Sequence, residues 1–379
     1  MQLARNAHSR PRSGVRKMME LAWGRDDVIH LEVGEPGFHT PDHVQAAAAE
    51  AARAGHTKYA PTPGLPELRE ALAEKMRRCN GIDVQGTDQV LVTNGGANAL
   101  FVILGSIVGP GDSVLLPDPG WSNFPMMALA FGVRPKYYRL DAANGYLPDP
   151  DEVRSLIDET TRAVVFNSPS NPLGSVIPRD LAETLFELCE EKDLWLVSDE
   201  CYDQIDFSGR FVSFGSLESR PYRVLSVYSF SKVYAMTGWR VGYCAVPEGV
   251  ADAALGLLQP SVMCVNTPAQ LGALAAVTGP QEYLHAWREE YQANRDLVLD
   301  GLAGSAHSAA RPDGGFYVWM KIGDLGERTS EEWAVQRLAD HAVAVTPGSS
   351  FGANGEGYVR ISLATPAAQL AIGVKRLIS

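Results

Sequence analysis

Cysteine is scarce in this sequence, and none of it forms a CxxC pair. The five residues, Cys79, Cys189, Cys201, Cys244 and Cys264, are scattered and odd in number. That spacing argues against a disulfide framework or a clustered zinc site and fits a reducing compartment. No apolar run approaches the roughly 20 residues of a membrane span. There is no low-complexity tract and no evident repeat. Positive charge is in deficit: the net charge is −12, so neither nucleic acid nor an acidic membrane, both of which want a basic face, is expected as a partner. The opening stretch, MQLARNAHSRPRSGVRKMMELAWG, is polar and Arg-rich without an apolar core, unlike a secretory signal. A transit peptide can also be Arg-rich and contain serine, but this stretch runs straight into structured sequence, and a cytoplasmic location is expected. Two familiar phosphate motifs, GxGxxG and GxxxxGK[ST], are missing as well.

What is present describes a soluble globular chain. Its 379 residues suggest two domains, and 45% hydrophobic with 21% charged residues is ordinary. The middle of the chain alternates short apolar runs with helical ones. Val90–Thr93, Ser113–Leu116, Ala163–Asn167, Leu194–Ser198, Val224–Ser229 and Val241–Val246 read as strands, with helical patterns such as Ala97–Val108 and Arg179–Lys192 between some of them. Near-continuous apolar strands separated by helices imply an α/β fold around a mostly parallel sheet buried on both faces. From about Glu282, long helical patterns precede short strands at Gly315–Met320, Ala342–Thr346 and Tyr358–Leu363, the pattern of a smaller α+β domain. The expected division is a large domain over 41–280, a small one over 281–379, and an N-terminal segment, 1–40, packing with the small domain or across a subunit interface.

Candidate functional residues cluster where strands end, the place where α/β sheets collect ligands. In VLSVYSFSKVYAMTGWRVGY, Lys232 follows a strand in a Ser-rich turn. Desolvation there makes an amine a nucleophile toward carbonyls, although a lone lysine is more often a surface residue. Ser229, Ser231 and Arg240 accompany it, two hydroxyls and a guanidinium that suit a phosphate dianion; Arg240 alone also reads as a structural ion pair. VLVTNGGANAL is a strand, a glycine pair and a helix, with Asn94 or Gly95 placed to cap the helix and bare amides open to an anion. Glycines also serve ordinary turns. Asp199, in LWLVSDECY, ends another buried strand, where a carboxylate needs a cation. That cation is either a protein side chain or the protonated nitrogen of a pyridine cofactor. Tyr202 lies three residues on and can reach the same ligand. Asn171, in FNSPSNPLG, reads as a turn former or a ligand contact, and Trp121, in LPDPGW, as a core residue or a stacking surface.

Taken together, the chain resembles the class I aminotransferases of the aspartate aminotransferase superfamily, the fold-type I pyridoxal-phosphate (PLP) enzymes. SFSKVYAMTGWRVGY is the most specific segment. LEVGEPGFHTP, KYAPTPGLPELREAL, TNGGANAL, NSPSNPLG, SDECY and YVRISLA follow the family's order and spacing nearly end to end. The resemblance implies that Lys232 holds PLP as a Schiff base and moves the proton at the substrate Cα. It implies that Asp199 pairs with the pyridinium and that Tyr202 and Asn171 bond the phenolic oxygen. Trp121 would stack on the ring, while Gly95, Gly96, Ala97, Ser229, Ser231 and Arg240 would bind the phosphate. Tyr59 matches a tyrosine that reaches the neighbouring subunit's phosphate, which implies a homodimer with shared sites. Arg360 matches the arginine that forks onto the substrate α-carboxylate, and Gly34 a glycine of a mobile segment over the substrate. The implied activity is transfer of an amino group between an L-amino acid and a 2-oxo acid with ping-pong kinetics.

Substrate identity is less legible. Acidic-substrate members of related branches carry a lysine where this chain has Ala97, which lowers the expectation of aspartate. Arg12, Arg16 and Arg25 are the candidate cations near the N-terminus, and Phe38, Phe124 and Tyr228 the candidate pocket residues. A carbon–sulfur β-lyase would share the same catalytic set and is the alternative reading. A non-catalytic sensor domain is a remoter alternative. Such regulators carry a winged-helix segment ahead of the domain, and only about thirty residues precede VGEPG here.

Overall fold

The computed structural model describes residues 14–218 and 223–379. Seven strands form the main sheet, in the order Val90–Thr93, Gly242–Ala245, Val224–Ser229, Trp195–Asp199, Thr161–Asn167, Ser113–Asp118 and Arg134–Arg139. Gly242–Ala245 runs antiparallel to both neighbours, and the remaining pairs are parallel. The fold is therefore the expected α/β arrangement with a mainly parallel sheet.

Side chains along each inner strand alternate between two cores, as strand geometry requires. Val114 and Leu116 pack with the helices Gly96–Ile107 and Glu248–Val262, whereas Leu115 turns to the opposite face beside Ala182 and Leu185 of Arg179–Glu191. A third cluster joins the sheet's other end to Asp42–Arg53, Pro66–Lys75 and Thr267–Thr278. One strand of this sheet escaped the sequence reading. Arg134–Arg139, RPKYYR, is mostly polar and lies at the sheet edge, where proline is tolerated because one side needs no ladder bond.

The C-terminal part forms a second, four-stranded sheet in the order Thr346–Pro347, Tyr358–Ser362, Tyr317–Lys321 and Ser308–Ala309, all antiparallel. The helices Glu282–Leu302, Ser330–His341 and Ala367–Ile378 share its core. The N-terminal segment reaches this part of the chain. Ile29–His30 pairs in parallel with Val343–Ala344, and Met18 and Ala22 of helix Gly14–Ala22 are buried in the same cluster as Trp333 and Val359. Among the described residues no helix is long and apolar enough to cross a membrane.

Candidate active site

Five strand ends converge on one edge of the main sheet. Thr93, Asp118, Asn167, Asp199 and Ser229 are the last residues of parallel-running strands. The antiparallel strand starts at Gly242 on that same edge, so Arg240, just before it, arrives there too. The resulting cavity holds about 370 Å³ and is lined by Lys232, Asp199, Tyr202, Asn171, Trp121, Gly96, Ala97, Ser229, Ser231, Arg240, Gly34 and Arg360, among others.

The corner where the glycine pair meets Arg240 is built from backbone as much as side chains. Gly95, at φ +81°, precedes helix Gly96–Ile107, whose N-terminus has no side-chain cap; Asn94 does not serve as one, contrary to one sequence expectation. A Cβ on Gly95 would lie 2.3 Å from a guanidinium nitrogen of Arg240, and one on Gly96 would lie 2.8 Å from the Cys201 sulfur. The glycines are thus required for close approach, and they leave the helix-start amides bare toward the cavity. Arg240 donates to the Thr237 carbonyl at 2.7 Å and the Asn94 carbonyl at 3.3 Å, with Ser231 Oγ 3.4 Å away. Lys232 sits in a single helical turn, Phe230–Val233, where Ser229 Oγ accepts from the Ser231 amide at 3.2 Å. The expected turn is therefore a short capped helix. The Lys232 ammonium donates to the Gly34 carbonyl.

Asp199 is buried, and its carboxylate accepts from Cys201, from the backbone amide at 3.2 Å and from the thiol. Among the described residues no cation pairs with it. Burial pushes its carboxyl up to about 6. Asn167 braces this corner: its Nδ2 donates to the Asp199 carbonyl at 3.0 Å and its Oδ1 accepts from the Asn171 amide at 2.8 Å. On the far wall, Arg360 donates to Asn171 Oδ1 at 2.9 Å and to the Glu32 carbonyl at 2.8 Å, and its buried Nε has no partner. Its guanidinium lies over the Tyr317 ring. The Tyr202 and Tyr317 hydroxyls are 3.1 Å apart, and burial holds the Tyr202 phenol well above its ordinary range. Trp121 is half-buried, edge-on to Phe124.

These residues fit PLP. A bare helix start with two serines and an arginine suits a phosphate. A buried carboxylate lacking a cation suits a protonated ring nitrogen, and a lysine between them suits the carbonyl carbon. Tyr59 is the exception, being 86% exposed and away from the cavity of its own chain.

Other expectations are corrected. Phe38 stacks on Trp287 at 4.5 Å, beside a neighbouring cavity rather than this one. Phe124 is buried behind Trp121 in the helix–sheet core. Tyr228 faces away and donates to Glu200 at 2.7 Å. Arg16 pairs with Glu20 and Arg25 with Asp27, both on the surface, and Arg12 lies outside the described residues. Asn167 and Tyr317 were missed. Tyr317 was legible in principle: its strand pairs with that of Arg360, and diagonal neighbours share a face.

Comparison with known proteins agrees with this chemistry. The family model for aminotransferase class I and II matches residues 26–377. The aspartate/prephenate aminotransferase of Thermus thermophilus is 41% identical over 364 residues, 95% of this chain and 92% of that one. The aromatic-amino-acid aminotransferase 2 of Thermococcus litoralis is 34% identical over 368 residues, 96% of this chain and 94% of its own. Among solved structures, the aspartate aminotransferase from Thermus thermophilus with maleate superposes with a TM-score of 0.94 at 38% identity, covering 99% of this chain and 98% of that one. With such extensive matches, the chain belongs to the class I and class II aminotransferases, transferases that use pyridoxal phosphate.

Proposed function

We propose that the cavity around Lys232 is the aminotransferase active site and that its residues divide the work as follows. Gly95, Gly96, Ala97, Ser229, Ser231 and Arg240 hold the cofactor phosphate. Asp199 holds the ring nitrogen in its protonated form, Trp121 covers the ring face, and Tyr202 and Asn171 bond its phenolic oxygen. Arg360 clamps the substrate α-carboxylate, which places Cα beside Lys232. Lys232 would hold the cofactor at its carbonyl carbon, and its Nζ, placed beside Cα, would take the Cα proton. Bound pyridoxal phosphate supplies the electron sink for the charge left at Cα. Gly34, whose carbonyl accepts from Lys232, brings the N-terminal segment over the substrate and keeps water from the proton transfer.

The observation that carries this reading is the buried carboxylate of Asp199, without a cation partner among the described residues, in the lining of a cavity that also holds Lys232 and Arg360. The division into 1–40, 41–280 and 281–379 puts Asp199 and Lys232 on the large domain and Arg360 on the small one. The exposure of Tyr59 supports a homodimer with shared sites, and the scattered cysteines support a cytoplasmic location. The relatives carry aminotransferase names, which leaves the β-lyase and sensor readings without support. The test is the visible spectrum of the holoenzyme. A yellow band should bleach with one amino acid and return with a 2-oxo acid, and Lys232→Ala should lose this turnover while staying folded. Retained transamination in that variant would falsify the assignment.

A further inference from the structure

The cavity has a second, chemically different wall. Val15 and Met19 line it from the helix Gly14–Ala22, and Val33 lines it from the segment that follows. Val15 and Met19 are four residues apart and so project from one helix face, while Met18 and Ala22 turn into the core of the C-terminal part. The helix is thus anchored on one side and presents apolar side chains to the site on the other. Glu35 also lines the cavity, and its carboxylate accepts from the Thr237 hydroxyl.

Charge limits what this wall can receive. Among the described residues, the cations lining the cavity are Lys232, Arg240 and Arg360. The reading above uses all three, for the amine, the phosphate and the α-carboxylate. A second carboxylate on the substrate would face three apolar side chains and the Glu35 carboxylate, and among the described residues no cation is left to meet it. Burying an unpaired carboxylate is costly, whereas each apolar carbon placed against such a wall contributes favourably.

We propose that this site selects amino acids with apolar side chains over dicarboxylic ones such as aspartate, with Val15, Met19 and Val33 as the specificity-determining contacts. The inference rests on the aminotransferase reading of the Lys232 site. It separates this chain from relatives whose names carry aspartate.

The experiment uses the holoenzyme and one half-reaction at a time, so that no acceptor is needed. L-phenylalanine, L-leucine, L-methionine, L-aspartate and L-glutamate are each added alone, and the rate at which the visible band bleaches is recorded. In parallel, calorimetry compares two unreactive acids, 3-phenylpropionate and succinate. At least one apolar amino acid should bleach the band about 10-fold faster than either dicarboxylate, and 3-phenylpropionate should bind more tightly than succinate, discrimination of the size a pocket of a few methylenes delivers. Met19→Arg should move the ratio of aspartate to phenylalanine rates about 10-fold toward aspartate. Faster bleaching by aspartate or glutamate in the unaltered enzyme, or tighter binding of succinate, overturns the proposal. Bleaching by no amino acid would instead overturn the aminotransferase reading, and the calorimetric comparison would still decide whether the wall prefers an apolar acid.

Discussion

The guanidinium carbon of Arg360 lies 4.1 Å from the centre of the Tyr317 ring. Both side chains are buried, and the Tyr317 hydroxyl bridges to Tyr202 at 3.1 Å. Arg360, the proposed carboxylate clamp, is therefore tied through one tyrosine to the side of the site that would hold the cofactor's phenolic oxygen. A desolvated cation–π contact contributes about 2 kcal/mol, equivalent to roughly 30-fold in affinity. Tyr317→Leu should accordingly raise KM for the amino acid by about that factor, with a smaller change in kcat. Tyr317→Phe, which keeps the ring and loses the hydroxyl, should recover most of the KM. Equal losses in the two variants would place the effect in the hydroxyl bridge and refute the stacking account.

Asp199 links cofactor binding to pH. Burial raises its carboxyl to about 6, above the 3.9 of an unfolded chain. To pair with a cation it must be ionised, so below about pH 6 binding of a protonated ring first has to expel a proton. Cofactor affinity should fall as pH drops from 7 to 5, and the slope should vanish in Asp199→Asn, which has no proton to lose. The effect on folding has the opposite sign. A raised carboxyl pKa means the folded chain holds the proton more tightly than the unfolded one. Without cofactor, this group's contribution to stability is therefore greatest below pH 4 and declines as pH rises through 6. Equilibrium titration with pyridoxal phosphate at a series of pH values checks the binding half, and a flat profile in the unaltered protein would dismiss it.

Much of this site is legible in the sequence, because the residues that line it gather at strand ends. Val224–Ser229 and Val90–Thr93 emerged with their sequence-read bounds, and the segments that follow them, a short helix and a turn, hold Lys232 and the glycine pair. Arg134–Arg139 was invisible because an edge strand need not be apolar. Tyr317 and Asn167 were missed for a different reason. Asn167 opens the NSPSNPLG run but was passed over for Asn171, and it matters through Asp199 as well; Tyr317 lies in a strand beside no quoted motif and matters through Arg360, distant in sequence. Phe38 failed in the reverse direction: adjacency to VGEPG suggested the pocket, but stacking on Trp287 holds its ring elsewhere. Sequence neighbourhood locates backbone, whereas the direction of a side chain depends on packing.

Behind the site, Lys75 and Asp203 form a buried ion pair, joined by Asn80, which donates to Asp203 at 3.0 Å. The ammonium also sits 4.8 Å from the centre of the Tyr228 ring. Removing one member strands the other charge in the core, at a cost of about 3–5 kcal/mol. Lys75→Met should therefore lower the thermal midpoint markedly. The double variant Lys75→Met, Asp203→Leu should recover much of the loss, since replacing a buried pair by apolar residues is far less costly than breaking it. Thermal unfolding of the three proteins at one pH decides the matter. A double variant as unstable as the single would mean that shape, not charge, governs this corner.

Tyr59 offers the sharpest test of assembly. It is 86% exposed, and among the described residues only Trp23 and Tyr137 join it as exposed aromatic side chains. Its loop is held in place, for Thr267 Oγ1 donates to the Lys58 carbonyl at 2.8 Å. A fixed loop presenting an unburied ring suits a contact with a second copy of the chain. If that contact completes the partner's phosphate site, a subunit carrying Lys232→Ala still lends its intact Tyr59, and a subunit carrying Tyr59→Ala still has its Lys232. Each variant alone should be impaired, but refolding the two together should restore activity, because one site in every mixed dimer then combines an intact lysine with an intact tyrosine. The other site of that dimer carries both defects, so recovery cannot exceed one working site per mixed pair. Activity that stays at the sum of the separate variants would mean that Tyr59 serves its own subunit or none, and the shared-site arrangement would fall.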